Sequence, residues 1–389
     1  MGHNWLNVPC TGGRHHFLHF LPVAFALART KSVELFVNDA EDAEAAMSLA
    51  ARLGEPPPAV TVMRLPQLLE KFGAGRLGAR VAKSLRLLWW SRRLRAARGL
   101  LTAERTSTVL RRIPGHCPPI IHIPHGAGDR AKGFEPRIAL FAAVLVAGEK
   151  DRARMIGRGL VDAARCHATG SIKLAALQRL APMRAPLFAN DRPTILYNPH
   201  FDPGLSSWDH VWRRLIAEVR GDDRYNLVIA PHVRLLAGCT AGELEDLTAA
   251  EVPDRILIDP GSSRSNDMTY TEGADIYIGD VSSQVYEFIR RPRPCLFIDA
   301  HEASWRDNPD YAMWSFGPVV SPRDNPIVAI DHAVATHGDY RNAQREAAIA
   351  ALGPDAMDGA APTGGSDAID RAAAIIVSLL TDARHPMHR

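Results

Sequence analysis

Apolar residues along the chain alternate between two patterns: short unbroken runs, and longer segments in which they recur every three or four positions. The runs are the length of buried strands and the periodic segments are amphipathic helices. In the first half, Val33–Val37, 59–64 and 118–124 read as strands. In the second half, 194–197, 225–230, Ile256–Ile258, 276–278 and Cys295–Ile298 do so. Helical spacing occupies Phe17–Ala28, 41–53, 150–160, Ile172–Leu180, 208–219, 333–352 and 366–383, the last capped by Ser366 or Asp367. The stretch 139–147 reads as a strand or as a helix running into one, and 65–112 reads as mostly helical and basic. Strand after helix after strand, twice over, predicts an α/β chain of two doubly wound parallel sheets. Such sheets carry their functional loops at the carboxyl ends of the strands. Pro182, Pro186 and Pro193 interrupt the periodicity, so the expected domains are 1–181 and 194–389, joined by a linker at 182–193.

The segment 272–299 is the most informative part of the second half. After its strand the chain breaks at Gly279-Asp280, passes Ser282-Ser283, and resumes as a helix through Val285, Phe288 and Ile289. Unpaired backbone N–H groups at a helix start, together with two hydroxyls, suit a phosphate or diphosphate. The same residues also suit an ordinary βαβ unit whose serines are only caps.

Composition and charge change the picture in four ways. A hydrophobic share of 46% and a charged share of 23% are globular, and no apolar run reaches the ~18 residues of a spanning helix. The five cysteines are scattered without CxxC pairs, which fits reduced thiols. Residues 1–20 lack the segments of a secretory signal, which predicts a cytoplasmic protein. Net charge is only +3, yet eleven Lys/Arg face one acid, Glu104, between Arg76 and Arg112. Leu85, Leu87, Leu88, Trp89, Trp90 and Leu94 are interleaved with them. A basic segment carrying Trp and Leu either binds an anionic membrane or acceptor through Arg92, Arg93, Arg95 and Arg98, or is a solvated helix face. If it binds a membrane, the protein sits on the inner face. Nucleic acid is disfavoured because no recognition motif accompanies the charge.

The loops carry the candidate chemistry. A proline-bracketed strand delivers His125-Gly126 and then Asp129 into a loop, and the strand at 225–230 ends in Pro231-His232. An imidazole with an unperturbed pKa of about 6.5 suits a general base near neutral pH. Asp129 either orients His125 or forms a turn. Glu287 lies one helical turn after Ser283, placed to accept from a ribose diol or to pair with Arg290 or Arg291. His122, three positions before His125, points away from the cleft. Gly12-Gly13 is a candidate cleft loop. His15 and His19 have a metal-like spacing, but no acid is near them in the chain and packed histidines are the commoner case, so no metal is expected.

His125-Gly126, His232 and Gly279-Asp280-Val281-Ser282-Ser283, each after a buried strand, resemble the motif set of the CDP-glycerol glycerophosphotransferases, the teichoic acid polymerases and primases. The segment 274–288 is similar to that family's ADxLITDYSSxxFDF. The resemblance covers roughly 120–300. It implies the GT-B fold, two Rossmann-like domains facing a cleft, with a C-terminal helix crossing back. It also implies His125 as general base, and His232, Asp280, Ser282 and Ser283 at the donor diphosphate, with Lys173 as the family's basic residue. No cofactor is implied. The partners would be a nucleotide-diphosphate donor, CDP-linked by preference, and a lipid-linked or glycan acceptor. Departures are Ala127 and Gly128 for Thr and Pro, Ala175 for Asp, and Pro199-His200-Phe201-Asp202 for Pro-Thr-Phe-Arg. These leave open two alternatives on the same fold, a nucleotide-sugar 2-epimerase and a non-catalytic binding protein.

Overall fold

A computed structural model describes residues 4–66, 76–126, 128–129, 133–180, 186–232, 234–236, 239–357, 359 and 363–381. Two parallel sheets organise them. The first contains β1 (Leu6–Cys10), β2 (Val33–Val37), β3 (Ala59–Val62), β4 (Gly99–Thr102), β5 (Ile120–His122), β6 (Ala143–Val146) and β7 (Cys166–Ala168), in the order β3-β2-β1-β4-β5-β6-β7. The second contains β8 (Thr194–Asn198), β9 (Asn226–Ile229), β10 (Ile256–Ile258), β11 (Ile276–Gly279), β12 (Cys295–Ile298) and β13 (Val319–Val320), in the order β10-β9-β8-β11-β12-β13. Counted from its own first strand, each sheet therefore runs 3-2-1-4-5-6, and the first adds a seventh strand at the end. The chain leaves the first and fourth strands of each sheet in opposite directions, which opens a crevice at their carboxyl ends.

The principal helices are α1 (Phe17–Ala28), α2 (Ala40–Arg52), α3 (Arg76–Trp89), α4 (Glu149–Gly157), α5 (Ile172–Leu180), α6 (Trp208–Gly221), α7 (Ala241–Thr248), α8 (Gln284–Phe288), α9 (Pro326–Leu352) and α10 (Ala368–Thr381). Strands buried on both faces read as unbroken apolar runs because helices cover both sides of a parallel sheet. One face of the first sheet packs on α1, α5 and α10 through Phe20, Phe25, Ile172, Ile369 and Ile376. Its other face packs on Leu87, Leu94, Phe134 and Phe141.

Four strands escape the sequence pattern: β1, β4, β7 and β13. The expectation of a mostly helical 65–112 is corrected by β4, which pairs with both β1 and β5 near the middle of the first sheet. The part at 67–75 lies outside the described residues. The last helix crosses back as the fold expectation has it, although the expected domain 194–389 includes it. Asp367 caps it, accepting from the Ile369 and Asp370 amides at 2.9 and 3.1 Å. Arg179 on α5 clamps the Asp367 carboxylate at 2.6 and 2.9 Å. So α10 crosses back and joins the core of the first sheet.

Candidate functional site

Neighbouring strands bring distant residues together at the carboxyl edge of the first sheet. β1 leads through Gly12-Gly13 into a single 3-10 turn, Arg14–His16, and then into α1. β4 ends just before Glu104, and β5 ends just before His125. Because β1, β4 and β5 are adjacent and parallel, their following loops meet. His16 stacks on His125 with ring centroids 3.8 Å apart, and His15 stands edge-on to His16 at 4.0 Å. Glu104 Oε1 lies 3.2 Å from His16 Nδ1, and Lys83 Nζ lies 3.6 Å from the other carboxylate oxygen. A Cβ at Gly12 would fall 2.1 Å from His16 Nδ1 and 2.4 Å from Glu104 Oε1, so only glycine fits over this pair.

Packing sets the charge of these groups. His125 is exposed by accessible surface, although one face of its ring is covered by His16. Desolvation, reinforced by His16, lowers its pKa to about 3. His15 falls to about 4, first by burial and then through His16 and His232. His232 thus faces His15 from the second sheet, and burial followed by Arg234 lowers its own pKa to about 4. Phe201 sits 4.6 Å from His232, with Arg234 over its ring at 4.1 Å. His122 points away from the cleft, as expected; it is buried, and its Nδ1 meets the Thr102 carbonyl at 3.1 Å.

The second sheet contributes the turn after β11. Ser283 heads α8, which is a single turn, and its side chain presses on the first domain: a Cβ at Gly126 would lie 3.2 Å from Ser283 Oγ. Gly126 itself has φ 77°, a conformation natural to glycine. Ser282 Oγ accepts from the Gln284 amide at 3.3 Å. Asp280 is turned inward, where Oδ2 accepts from the His200 and Ser207 amides at 2.9 and 3.0 Å. Burial raises the pKa of Asp280 to about 6. Its direct work is therefore to pin the β8 loop beneath the turn.

Two side chains expected to serve the site, Asp129 and Glu287, make contacts between the halves instead. Asp129 does not orient His125; its buried carboxylate accepts from Tyr286 Oη at 2.7 and 2.8 Å and from Lys150 Nζ at 2.7 Å. Glu287 pairs with neither Arg290 nor Arg291 but with Lys173 of α5, at 2.7 and 2.9 Å. Arg154 likewise reaches Asp310 at 2.5 Å. Between these contacts lies a cavity of about 30 Å³, lined among others by His19, Gly126, Asp151, Ser283 and Glu287. It has room for about one water molecule. Among the described residues, no set of three His, Cys, Asp or Glu is arranged to hold a metal ion.

The basic segment divides. Arg93 pairs with Glu34 at 2.5 Å, Arg95 donates to the His116 and Pro114 carbonyls, and Arg98 donates to Leu380 O. Arg92 remains exposed. Close to it, Val81, Leu88 and Trp89 are 48%, 41% and 59% exposed. No helix among the described residues is long and apolar enough to cross a membrane.

Neither Glu104 nor His16 is marked as a site residue by its local sequence. The signal that finds them is topological: two parallel strands flanking a switch point deliver their next residues to one place, so acids after any such strand belong with the histidines after its neighbour.

No protein-family model and no curated protein sequence matches the chain. Solved structures do. A protein of Listeria monocytogenes assigned as a UDP-N-acetylglucosamine 2-epimerase superposes with a TM-score of 0.64 at 12% identity, over 99% of each chain. S. aureus MnaA in complex with UDP gives 0.61 at 12%, over 96% of each. The wall teichoic acid polymerase TagF soaked with CDPG gives 0.56 at 11%, over 97% of this chain and 88% of that one. At such identities the likeness speaks for architecture alone, and the architecture is GT-B: two parallel-sheet α/β domains, of seven and six strands.

Proposed function

We propose that the chain is a transferase that moves a polyol-phosphate or a sugar from a nucleotide-diphosphate donor to a lipid-linked or glycan acceptor, without a metal. The supporting observation is the opposition, across one crevice, of a histidine edge on the first sheet and the Ser282-Ser283 turn with His232 on the second. On this reading the hydroxyls of Ser282 and Ser283, the amides of their turn and His232 hold the diphosphate, and an imidazole of the first sheet receives the acceptor proton. The family resemblance gives that last role to His125. Lys173 and Glu287 occupy each other, and the cavity between the halves holds about 30 Å³. Donor entry at this point therefore requires the halves to part, and Lys173 then becomes available to phosphate.

Calorimetry with CDP, UDP and GDP tests the donor site. Binding of one nucleotide is expected, weakened about tenfold or more in Ser282→Ala/Ser283→Ala, since each hydrogen bond to a charged group contributes about 1.5–3 kcal/mol. Unchanged affinity in the double variant removes the serines from the site, and no affinity for any nucleotide removes the transferase reading.

A nucleotide-sugar 2-epimerase is the second reading, and one observation favours it: Glu104 places a carboxylate among the cleft histidines, where proton transfer at carbon needs an acid/base group. Incubation with UDP-N-acetylglucosamine in D2O separates the two. Deuterium at the sugar C2 supports the epimerase, and nucleotide release dependent on an acceptor supports the transferase.

A further inference from the structure

Two imidazoles stand stacked on the reacting edge of the first sheet, and they differ in what backs them. His125 makes no side-chain hydrogen bond among the described residues, and desolvation lowers its pKa to about 3. No acceptor at its ring therefore fixes a tautomer or stabilises its charged form. His16 has Glu104 Oε1 3.2 Å from Nδ1, an ion-pair distance, and no hydrogen-bond partner otherwise reaches that buried nitrogen among the described residues. That carboxylate stays ionised: burial opposes it, but His16 and Lys83 prevail and bring its pKa to about 2. The pair is also built in. Side-chain exposures are 7% and 14%, and Gly12 covers the contact where any Cβ would collide with both partners.

We propose that the Glu104–His16 pair is the proton acceptor of this cleft, with His125 orienting the acceptor hydroxyl from its stacked position. This rests on the transferase reading above. A carboxylate at Nδ1 holds the proton on that nitrogen, leaves Nε2 to take another, and stabilises the imidazolium that results. With a glycerophosphoryl donor, the acceptor oxygen bonds to the distal phosphorus while the bond from that phosphorus to the bridging oxygen breaks. The nucleoside monophosphate leaves with the electron pair, and the hydroxyl proton passes to His16 Nε2 and then to water. The charged and titratable groups facing His16 are Glu104, His15, His19 and His125, with Lys83 behind Glu104.

The test uses the full chain, CDP-glycerol and UDP-N-acetylglucosamine as donor probes, and the variants Glu104→Gln and His16→Gln. Each variant is expected to lose about 10²-fold or more in kcat with KM little changed, since a positioned base contributes about 10²–10⁴-fold. Nucleotide affinity by calorimetry separates lost chemistry from lost folding. Should His16→Gln not fold, the isosteric Glu104→Gln carries the test. Nitrogen-15 histidine spectra supply a readout independent of turnover: His16 carries its proton on Nδ1 in the wild type and loses that preference in Glu104→Gln. Full turnover by both variants, or a wild-type His16 protonated on Nε2 alone, overturns the proposal. If the wild type turns over neither probe, the transferase reading falls separately, and the tautomer alone decides whether the pair exists.

Discussion

The two sheets share the strand order 3-2-1-4-5-6, to which the first adds a seventh strand, yet load its switch point differently. On the first, the loops after β1, β4 and β5 present His15, His16, Glu104 and His125, four ionisable groups of which His16 touches the other three. On the second, the corresponding loops turn their carboxylate inward: Asp280 is fully buried and holds the β8 loop, so Ser282, Ser283 and backbone amides face the crevice. An identical scaffold thus offers proton chemistry on one side and neutral hydrogen-bond donors on the other. A reaction between an activated phosphate and a hydroxyl needs both, and it needs them on halves that can separate.

The strongest way to break this comparison is to cut the tie between the halves. Lys173→Met leaves the Glu287 carboxylate, 15% exposed, without its 2.7 Å partner. Removing one member of a buried pair costs about 3–5 kcal/mol, and the residual exposure of Glu287 places this one near the lower figure. The double variant Lys173→Met/Glu287→Met is expected to lose less than Lys173→Met alone in denaturant unfolding. Additive losses would mean that the two side chains act independently and that the pair does not hold the halves together.

Asp280 sharpens the contrast next. Its folded pKa is raised to about 6 from an ordinary value of 3.8, so the native state favours the protonated form. Its contribution to stability is whole below pH ~4 and is lost as pH rises through 6, by about 2–3 kcal/mol at most for a shift of this size. Asp280→Asn should remove that slope, so that the difference in stability between the wild type and the variant changes between pH 4 and 7 and is constant above it. A difference that is flat across this window would show Asp280 ionised in the fold and would overturn its description as an inward, partly protonated pin.

What could be read in the sequence follows from locality. β2, β5 and β8 to β12 announce themselves as apolar runs bounded by turn residues, and α1 and α5 as periodic segments, because burial on both faces leaves a local mark. β4 leaves almost none. Its four residues, Gly99 to Thr102, stand between Arg98 and Glu104 inside a run of eleven cations, and charge statistics absorb them. The site has the same division. His125, His232 and the Ser282-Ser283 turn follow strands that are visible, so their places are legible. The Glu104–His16 contact spans 88 positions and depends on β4 lying beside β1, which no local pattern encodes. Lys173 and Glu287 are legible as residues, but their pairing across the halves is not.

The smallest effect concerns the basic segment, where the sheets again differ, because only the first carries such an appendage. Structural duties occupy Arg93, Arg95 and Arg98, so their charges are partly answered within the protein. Of the four arginines expected to meet an anionic surface, Arg92 remains, beside the exposed ring of Trp89. Each cation near such a surface contributes about 1 kcal/mol, and an interfacial Trp adds buried apolar area. Flotation with phosphatidylserine vesicles should therefore weaken by roughly fivefold in Arg92→Gln and further in Trp89→Ser/Arg92→Gln, and salt should weaken the wild type in the same direction. Arg93→Gln, by contrast, strips Glu34 of its 2.5 Å partner and is expected to lower stability more than vesicle affinity. If Arg92→Gln floats like the wild type while Arg93→Gln does not, the contact lies on the other side of the segment and Trp89 faces a protein partner instead.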